Sequence, residues 1–201
     1  MKGVPEVYIE SSFRGHKTVP GSYSVTVSDG KNTSKAEFKI LPNPYYNVTT
    51  QEYAGYNTFM LTMQEKLNDM HKKVNDILKM REQIEVITHE LEGDQFKALK
   101  KTGEVLAEKM KAWDDEMVQR KAKAYDDVDN FENKFTANFM FLINHSESDM
   151  PRVTKPNRDR YEELMKQWDG LNARAMEIIQ KDVPNYSKQL WDAGVGVVRV
   201  P

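Results

Sequence analysis

The stretch Met60 to Leu91, MLTMQEKLNDMHKKVNDILKMREQIEVITHEL, decides the fold class. Met60, Met63, Leu67, Met70, Val74, Ile77, Ile84 and Leu91 step by threes and fours, and Arg81 and Thr88 hold the remaining places on the stripe. That spacing lays one apolar seam along an α-helix. Tyr53, Tyr56 and Phe59 widen the seam near its start, so a helix of about 40 residues and roughly 60 Å is expected. Glu92-Gly93-Asp94 ends it, with Gly93 as a left-handed cap and Asp94 as N-cap of the next helix.

Toward the C-terminus, Phe96, Leu99, Gly103, Leu106, Met110, Trp113 and Met117 repeat the pattern to near residue 122. Two long helices joined by a few residues lie antiparallel. Gly103 is on this seam, where a missing side chain permits close approach. Phe131, Phe135, Phe139 and Leu142 predict a shorter helix over 129–144, followed by a polar loop. Tyr161, Leu164, Trp168, Leu171, Ala175 and Ile178 mark a last long helix, capped by Asn157 or Asp159. Pro184 breaks or kinks it, because proline lacks the N–H that the helix needs. Tyr186 to Ala193 reads as a final short helix stopped by Gly194, and the apolar tail adds an edge strand or docks in a groove. The seam methionines (60, 63, 70, 110 and 117) read as core filler.

Upstream the period changes to two. Tyr23, Val25 and Val27 alternate with serine and threonine, and Ala36, Phe38 and Ile40 do the same after Asp29-Gly30. This is a β-hairpin over residues 20–41, with Val7 to Ile9 as a third short strand. A lone hairpin is marginal in water. It either packs on the helices or ends a β-sandwich whose earlier strands lie outside this chain. Pro42-Asn43-Pro44 is a stiff connector. The expected fold is therefore mainly α: an antiparallel three- or four-helix bundle preceded by a β-hairpin or partial β-sandwich. Residues 1–44 form the β part, 45–195 the bundle and 196–201 a tail. Heptad stripes also suit intermolecular coiled coils, but short loops and several different stripes favour an intramolecular bundle.

Composition narrows function. The chain has 201 residues, 29 Lys+Arg against 31 Asp+Glu, and no cysteine. Disulfide scaffolds, thiolate zinc sites and cysteine nucleophiles are excluded, and balanced charge argues against a nucleic-acid partner. No apolar run approaches a membrane span. Met1-Lys2-Gly3-Val4-Pro5 lacks the apolar core of a signal peptide, an observation that loses force if the natural N-terminus lies upstream.

Candidate chemistry is sparse. Asp114, Asp115 and Glu116, then Asp126, Asp127, Asp129 and Glu132, read as solvated helix faces. Phe131, Glu132 and Asn138 stand where a calcium loop from Asp127 needs an oxygen ligand, glycine and glutamate. His16, His71, His89 and His145 do not cluster, and no HExxH, phosphate-loop or GxSxG motif occurs. The lysines and arginine between Lys97 and Lys123 are offset by Glu104, Glu108 and Asp114 to Glu116. No catalytic residue, metal ligand or cofactor site is assigned. Tyr45, Tyr46, Tyr53 and Tyr56, at the junction of the two parts, are the candidate interaction surface or the cement between hairpin and bundle. Sequons at Asn32, Asn47, Asn144 and Asn185 matter only in a eukaryotic secretory route.

Val19-Pro20-Gly21-Ser22-Tyr23-Ser24-Val25-Thr26-Val27, Asp29-Gly30-Lys31 and the strand ending at Leu41 resemble the last hairpin of an immunoglobulin-like module. That module belongs to bacterial sortilin-like, BNR/Asp-box propeller proteins, where it leads into a C-terminal helical region. Asn133-Lys134-Phe135, Ser146, Ser148-Asp149, Pro151, Tyr161-Glu162-Glu163-Leu164, Asp182-Val183-Pro184-Asn185-Tyr186 and Ala193-Gly194 are similar to that region in order and spacing. No Asp-box (S-x-D-x-G-x-T-W) is present, and the long helices match only in type. The resemblance implies a non-catalytic, C-terminal part of a larger secreted or envelope protein, with a protein partner or its own upstream domains to bind. The alternatives are an accessory region of a glycoside-processing enzyme and a self-assembling coiled-coil scaffold.

Overall fold

The computed structural model describes residues 15–122, 127, 129–147, 152–196 and 198. The third strand expected at Val7 to Ile9 lies outside these residues. Two antiparallel strands, β1 (Gly21–Ser28) and β2 (Thr33–Ile40), precede five helices: α1 (Thr50–Glu90), α2 (Lys97–Met117), α3 (Phe135–Ser146), α4 (Lys155–Glu177) and α5 (Val183–Asp192).

The helices form three columns. The first is α1, whose 41 residues span about 60 Å. It starts at a capping box: Thr49 Oγ1 accepts from the Glu52 N–H at 3.2 Å, and Glu52 accepts from the Thr49 N–H at 2.8 Å. The second column is α2 followed end to end by α3, both antiparallel to α1. The third is α4 and α5, parallel to α1. Cross-column contacts fix these directions. Thr88 of α1 meets Gly103 of α2 and Tyr186 of α5, while at the other end Phe59 of α1 meets Tyr161 of α4 with ring centroids 5.4 Å apart. Between them, the Trp113 indole N–H donates to the Leu171 carbonyl at 2.8 Å.

Most seam residues are where their spacing puts them, though Leu67 is only partly buried and Met80, off the stripe, is fully buried. Met60, Met63, Met70, Val74, Ile77, Ile84, Met110 and Met117 are all fully buried, with Leu106, Trp113, Phe139, Leu164, Trp168 and Ala175 packed against them. Phe135 stacks on Trp168 at 6.0 Å.

Boundaries differ from expectation in four places. Helix α2 stops at Met117 rather than near 122, and Thr136 Oγ1–H caps its end by donating to the Met117 carbonyl at 2.9 Å. Helix α3 starts six residues later than the phenylalanine spacing implied. Gly93 does take a positive φ, 99°, but its ψ of 156° is extended, and a short 3₁₀ turn over Asp94–Phe96 separates it from α2. Thr154, not Asn157 or Asp159, caps α4, accepting from the Asn157 N–H.

Pro184 does not break the last column. A π-helical turn, Ile178–Asp182, joins α4 to α5, and the Val183 N–H bonds five residues back to the Ile178 carbonyl. The wider turn absorbs the residue whose α-helical bond proline cannot make. The column ends in a Schellman motif: Val195 N–H to Leu190 O at 2.8 Å, Gly194 N–H to Trp191 O at 2.9 Å, and Gly194 at φ 74°. In the tail, Val198 is buried beside α5.

Gly103 is required by its neighbours. A Cβ there would lie 2.3 Å from Thr88 Oγ1 and 2.4 Å from the Tyr186 hydroxyl, which share a buried 3.2 Å hydrogen bond. Gly103→Ala is expected to destabilise by about 1–3 kcal/mol through overpacking, against its helix-propensity gain. Leu164→Ala should cost about 2–5 kcal/mol. Urea melts read both, and a Gly103→Ala variant as stable as the parent would show that the three helices do not meet this closely.

Candidate functional site: the hairpin and its junction with the bundle

The hairpin has an apolar face with nothing packed on it among the described residues. Cross-strand pairs Tyr23↔Phe38 and Val25↔Ala36 lie on that face, with Val27 and Ile40 at its ends. Tyr23 and Phe38 stack at 5.9 Å, and the Tyr23 hydroxyl donates to the Val19 carbonyl at 2.6 Å. Yet Val25 is 47%, Val27 65% and Phe38 47% exposed. Apart from Tyr23 and Ile40, both strands are exposed along their whole length. The turn is well made: Asp29 accepts from the Lys31 and Asn32 N–H groups at 2.9 and 2.7 Å, and Gly30 takes φ 90°. Those backbone bonds hold the Asp29 carboxyl below its usual pKa.

Among the described residues, only the open end of the hairpin meets the bundle. There a groove of about 410 Å³ is lined by Val19, Ile40, Leu41, Pro42, Val48 and Tyr53. The chain on either side is tied down. His16 Nε2 pairs with Asn57 Oδ1 at 2.9 Å, and the Lys17 N–H donates to Glu147 Oε1 at 2.6 Å. Arg152 bonds Glu52 Oε1 at 2.9 Å and also the Asn47 carbonyl. These ties link the hairpin's entry and exit segments to α1 and to the α3–α4 connection.

The four junction tyrosines do not share one surface. Tyr45 is 90% exposed, Tyr46 is half-buried, Tyr53 is buried beneath the groove and Tyr56 is 1% exposed in the core. The histidines are dispersed as their spacing implied. His145 pairs with Asn157, His89 is exposed, and half-buried His71 has its pKa lowered chiefly by burial. Among the described residues no three His, Asp or Glu side chains are grouped to hold a metal ion. Asp126, Ser148 and Asp149 lie outside the described residues.

Asp114 corrects the solvated-face reading. It is 1% exposed, and its carboxylate takes a fork from Arg120, Nε at 2.5 Å and Nη2 at 2.8 Å. The chain turns back after Met117 and lays the guanidinium over the end of α2. Its neighbours Asp115 and Glu116 are exposed and pair with Lys111 and Arg174.

No family model, curated protein or solved structure matches the chain. No helix among the described residues is long and apolar enough to cross a membrane.

Tyr56 connects the junction to pH. Its hydroxyl is buried without a hydrogen-bond partner among the described residues. Burial, with the nearby Glu147 carboxylate second, pushes its pKa from 10 up to about 12. Below pH 10 the folded and unfolded chains both keep this proton. Between pH 10 and 12 only the folded chain keeps it, so stability falls as pH rises. Tyr161 and Tyr186, also raised by burial, act in the same direction. Tyr56→Phe is expected to make the alkaline slope shallower and to leave stability at pH 7 equal or higher, since an unsatisfied hydroxyl is removed. Melts from pH 7 to 12 read this; a marked loss at pH 7 would mean the hydroxyl is satisfied.

Proposed function

We propose that the chain is a non-catalytic protein-interaction module, the C-terminal part of a larger secreted or envelope protein. In this reading a rigid helical column presents the β-hairpin, and β-structure upstream in the same polypeptide covers the hairpin's apolar face. The observation that carries it is the exposure of Val25, Val27 and Phe38 on a well-formed sheet beside a bundle that is complete without them. A two-stranded sheet is marginal in water until another strand or element packs on its apolar face. The resemblance of the hairpin and the later helices to the end of sortilin-like propeller proteins supports the same reading and is the ground for the extracytoplasmic location.

Area favours a tethered partner over a free one. Two eight-residue strands make a face of roughly 27 by 10 Å, about 270 Å². A stable interface between separate molecules buries about 800 Å² per partner. Two free copies meeting on this face fall well short. A domain on the same chain needs no such area, because tethering supplies an effective concentration near the millimolar range.

The seam of α1 is consumed within one chain, which leaves no heptad stripe open for a coiled-coil scaffold among the described residues. The scattered tyrosines leave no shared aromatic platform for a sugar ring at the junction.

The test has two parts. The native product, purified from its source, should exceed the 23.3 kDa of this chain by intact mass. In that product Phe38→Ser should speed proteolysis at the hairpin, while the isolated chain carrying the same substitution should melt within about 0.5 kcal/mol of the parent. A native mass of 23.3 kDa would overturn the proposal.

A further inference from the structure

Among the described residues the sheet has two strands, and its two outer edges are chemically unlike. The Asp29 N–H bonds across to the Asn32 carbonyl, and the register runs on through Ser28↔Thr33 to Gly21↔Ile40. In an antiparallel ladder, inward and outward backbone groups alternate by residue. Asp29, Val27, Val25, Tyr23 and Gly21 therefore point their N–H and C=O groups at β2. Ser22, Ser24, Thr26 and Ser28 point theirs away from it, along the outer edge of β1. On β2 the outward residues are Thr33, Lys35, Glu37 and Lys39.

The same residues carry the side chains of the polar face. The β1 edge is thus flanked only by small uncharged hydroxyl side chains, and no charge occurs in Gly21–Ser28. The β2 edge is flanked by Lys35, Glu37 and Lys39. Charged side chains, lysine above all, are how proteins protect a strand edge from pairing. By that measure β2 is guarded and β1 is open. A guarded edge beside an open one, with one apolar face shared between them, is the arrangement of a sheet that continues in one direction.

We propose that the partner enters as a third strand along the outer edge of β1, giving the order partner–β1–β2, with its apolar side chains on the Tyr23–Val25–Val27 side. The occupant is an extended segment of the upstream β-domain, alternating apolar and polar; this identification rests on the tethered reading above. The added strand satisfies the outward groups of Ser22, Ser24, Thr26 and Ser28 by main-chain bonding, and alternate side chains set its register. Affinity then comes from backbone bonds as well as the small apolar face, which suits an area too small for a free dimer.

Amide hydrogen exchange on the isolated chain and on the longer native product tests this. In the isolated chain the amides of Ser24, Thr26, Lys35 and Glu37 should all exchange rapidly. In the native product those of Ser24 and Thr26 should slow at least about 100-fold, while those of Lys35 and Glu37 stay fast. A paired substitution gives a second readout. Ser24→Pro and Glu37→Pro each remove an outward N–H that is unbonded among the described residues, so both should leave the melt of the isolated chain nearly unchanged. In the native product only Ser24→Pro should expose the hairpin to proteolysis. Protection at Lys35 and Glu37 instead, or at neither edge, overturns the strand assignment and leaves the tethered reading standing. A native mass of 23.3 kDa overturns both. Protection of the β1 amides in the isolated chain also overturns it: with a dimer in light scattering the occupant is a second copy, and with a monomer it is a segment of this chain such as Val7 to Ile9.

Discussion

A 41-residue helix with an apolar stripe down its length cannot stand in water unless something equally long covers it. That requirement organises the molecule. A single partner of 21 residues leaves roughly half of α1 bare, so α3 takes over where α2 stops. The third column, from Lys155 to Asp192, runs nearly the full length again. The splice between α2 and α3 is then the weak point of the bundle, because two helix ends are buried there and their backbone groups need partners. At that spot Thr136 takes the Met117 carbonyl, and the side chains beside it are paired as well: Arg120 forks onto buried Asp114, and Trp113 bonds the Leu171 carbonyl of α4.

The columns were legible in the sequence, since a three-four spacing over 30 residues has no other reading than a helix with one buried face. The splice was not. Periodicity placed Asp114 off the seam and hence toward solvent, but at a helix end the returning chain can cover any side, and no local pattern says which. The π turn escaped for a related reason: Pro184 signals a missing bond without saying whether the helix breaks or widens. The start of α1 did carry a local signal, Thr49 followed three residues later by Glu52, which fixes the helix boundary more sharply than the apolar stripe does.

The hairpin shows the opposite balance. Its two strands and turn follow from alternation and from Asp29-Gly30, and they form as expected. What covers the apolar face does not follow, because alternation defines a face and not its neighbour. The junction tyrosines were grouped by nearness in sequence. Tyr45 and Tyr46 precede the capping box and Tyr53 and Tyr56 follow it, so the helix start turns the two pairs into different environments.

The π turn has a consequence for the surface of the last column. Glu177 and Asp182 are five residues apart, which on a regular α-helix sets them about 140° from each other. The widened turn swings them toward one side, and Lys109 of α2 reaches both, at 3.4 and 2.7 Å. A chain lacking a single residue between Ile178 and Asp182 would close the π turn into a regular α-helix: the two carboxylates would stand four residues and about 40° apart, still beside Lys109, but Pro184 would lie in an α-helix interior, where its ring meets the carbonyl four residues back. The extra residue is a spacer taken up by the wide turn: it lets the chain pass a proline while α4 and α5 stay one column with their inward faces in phase.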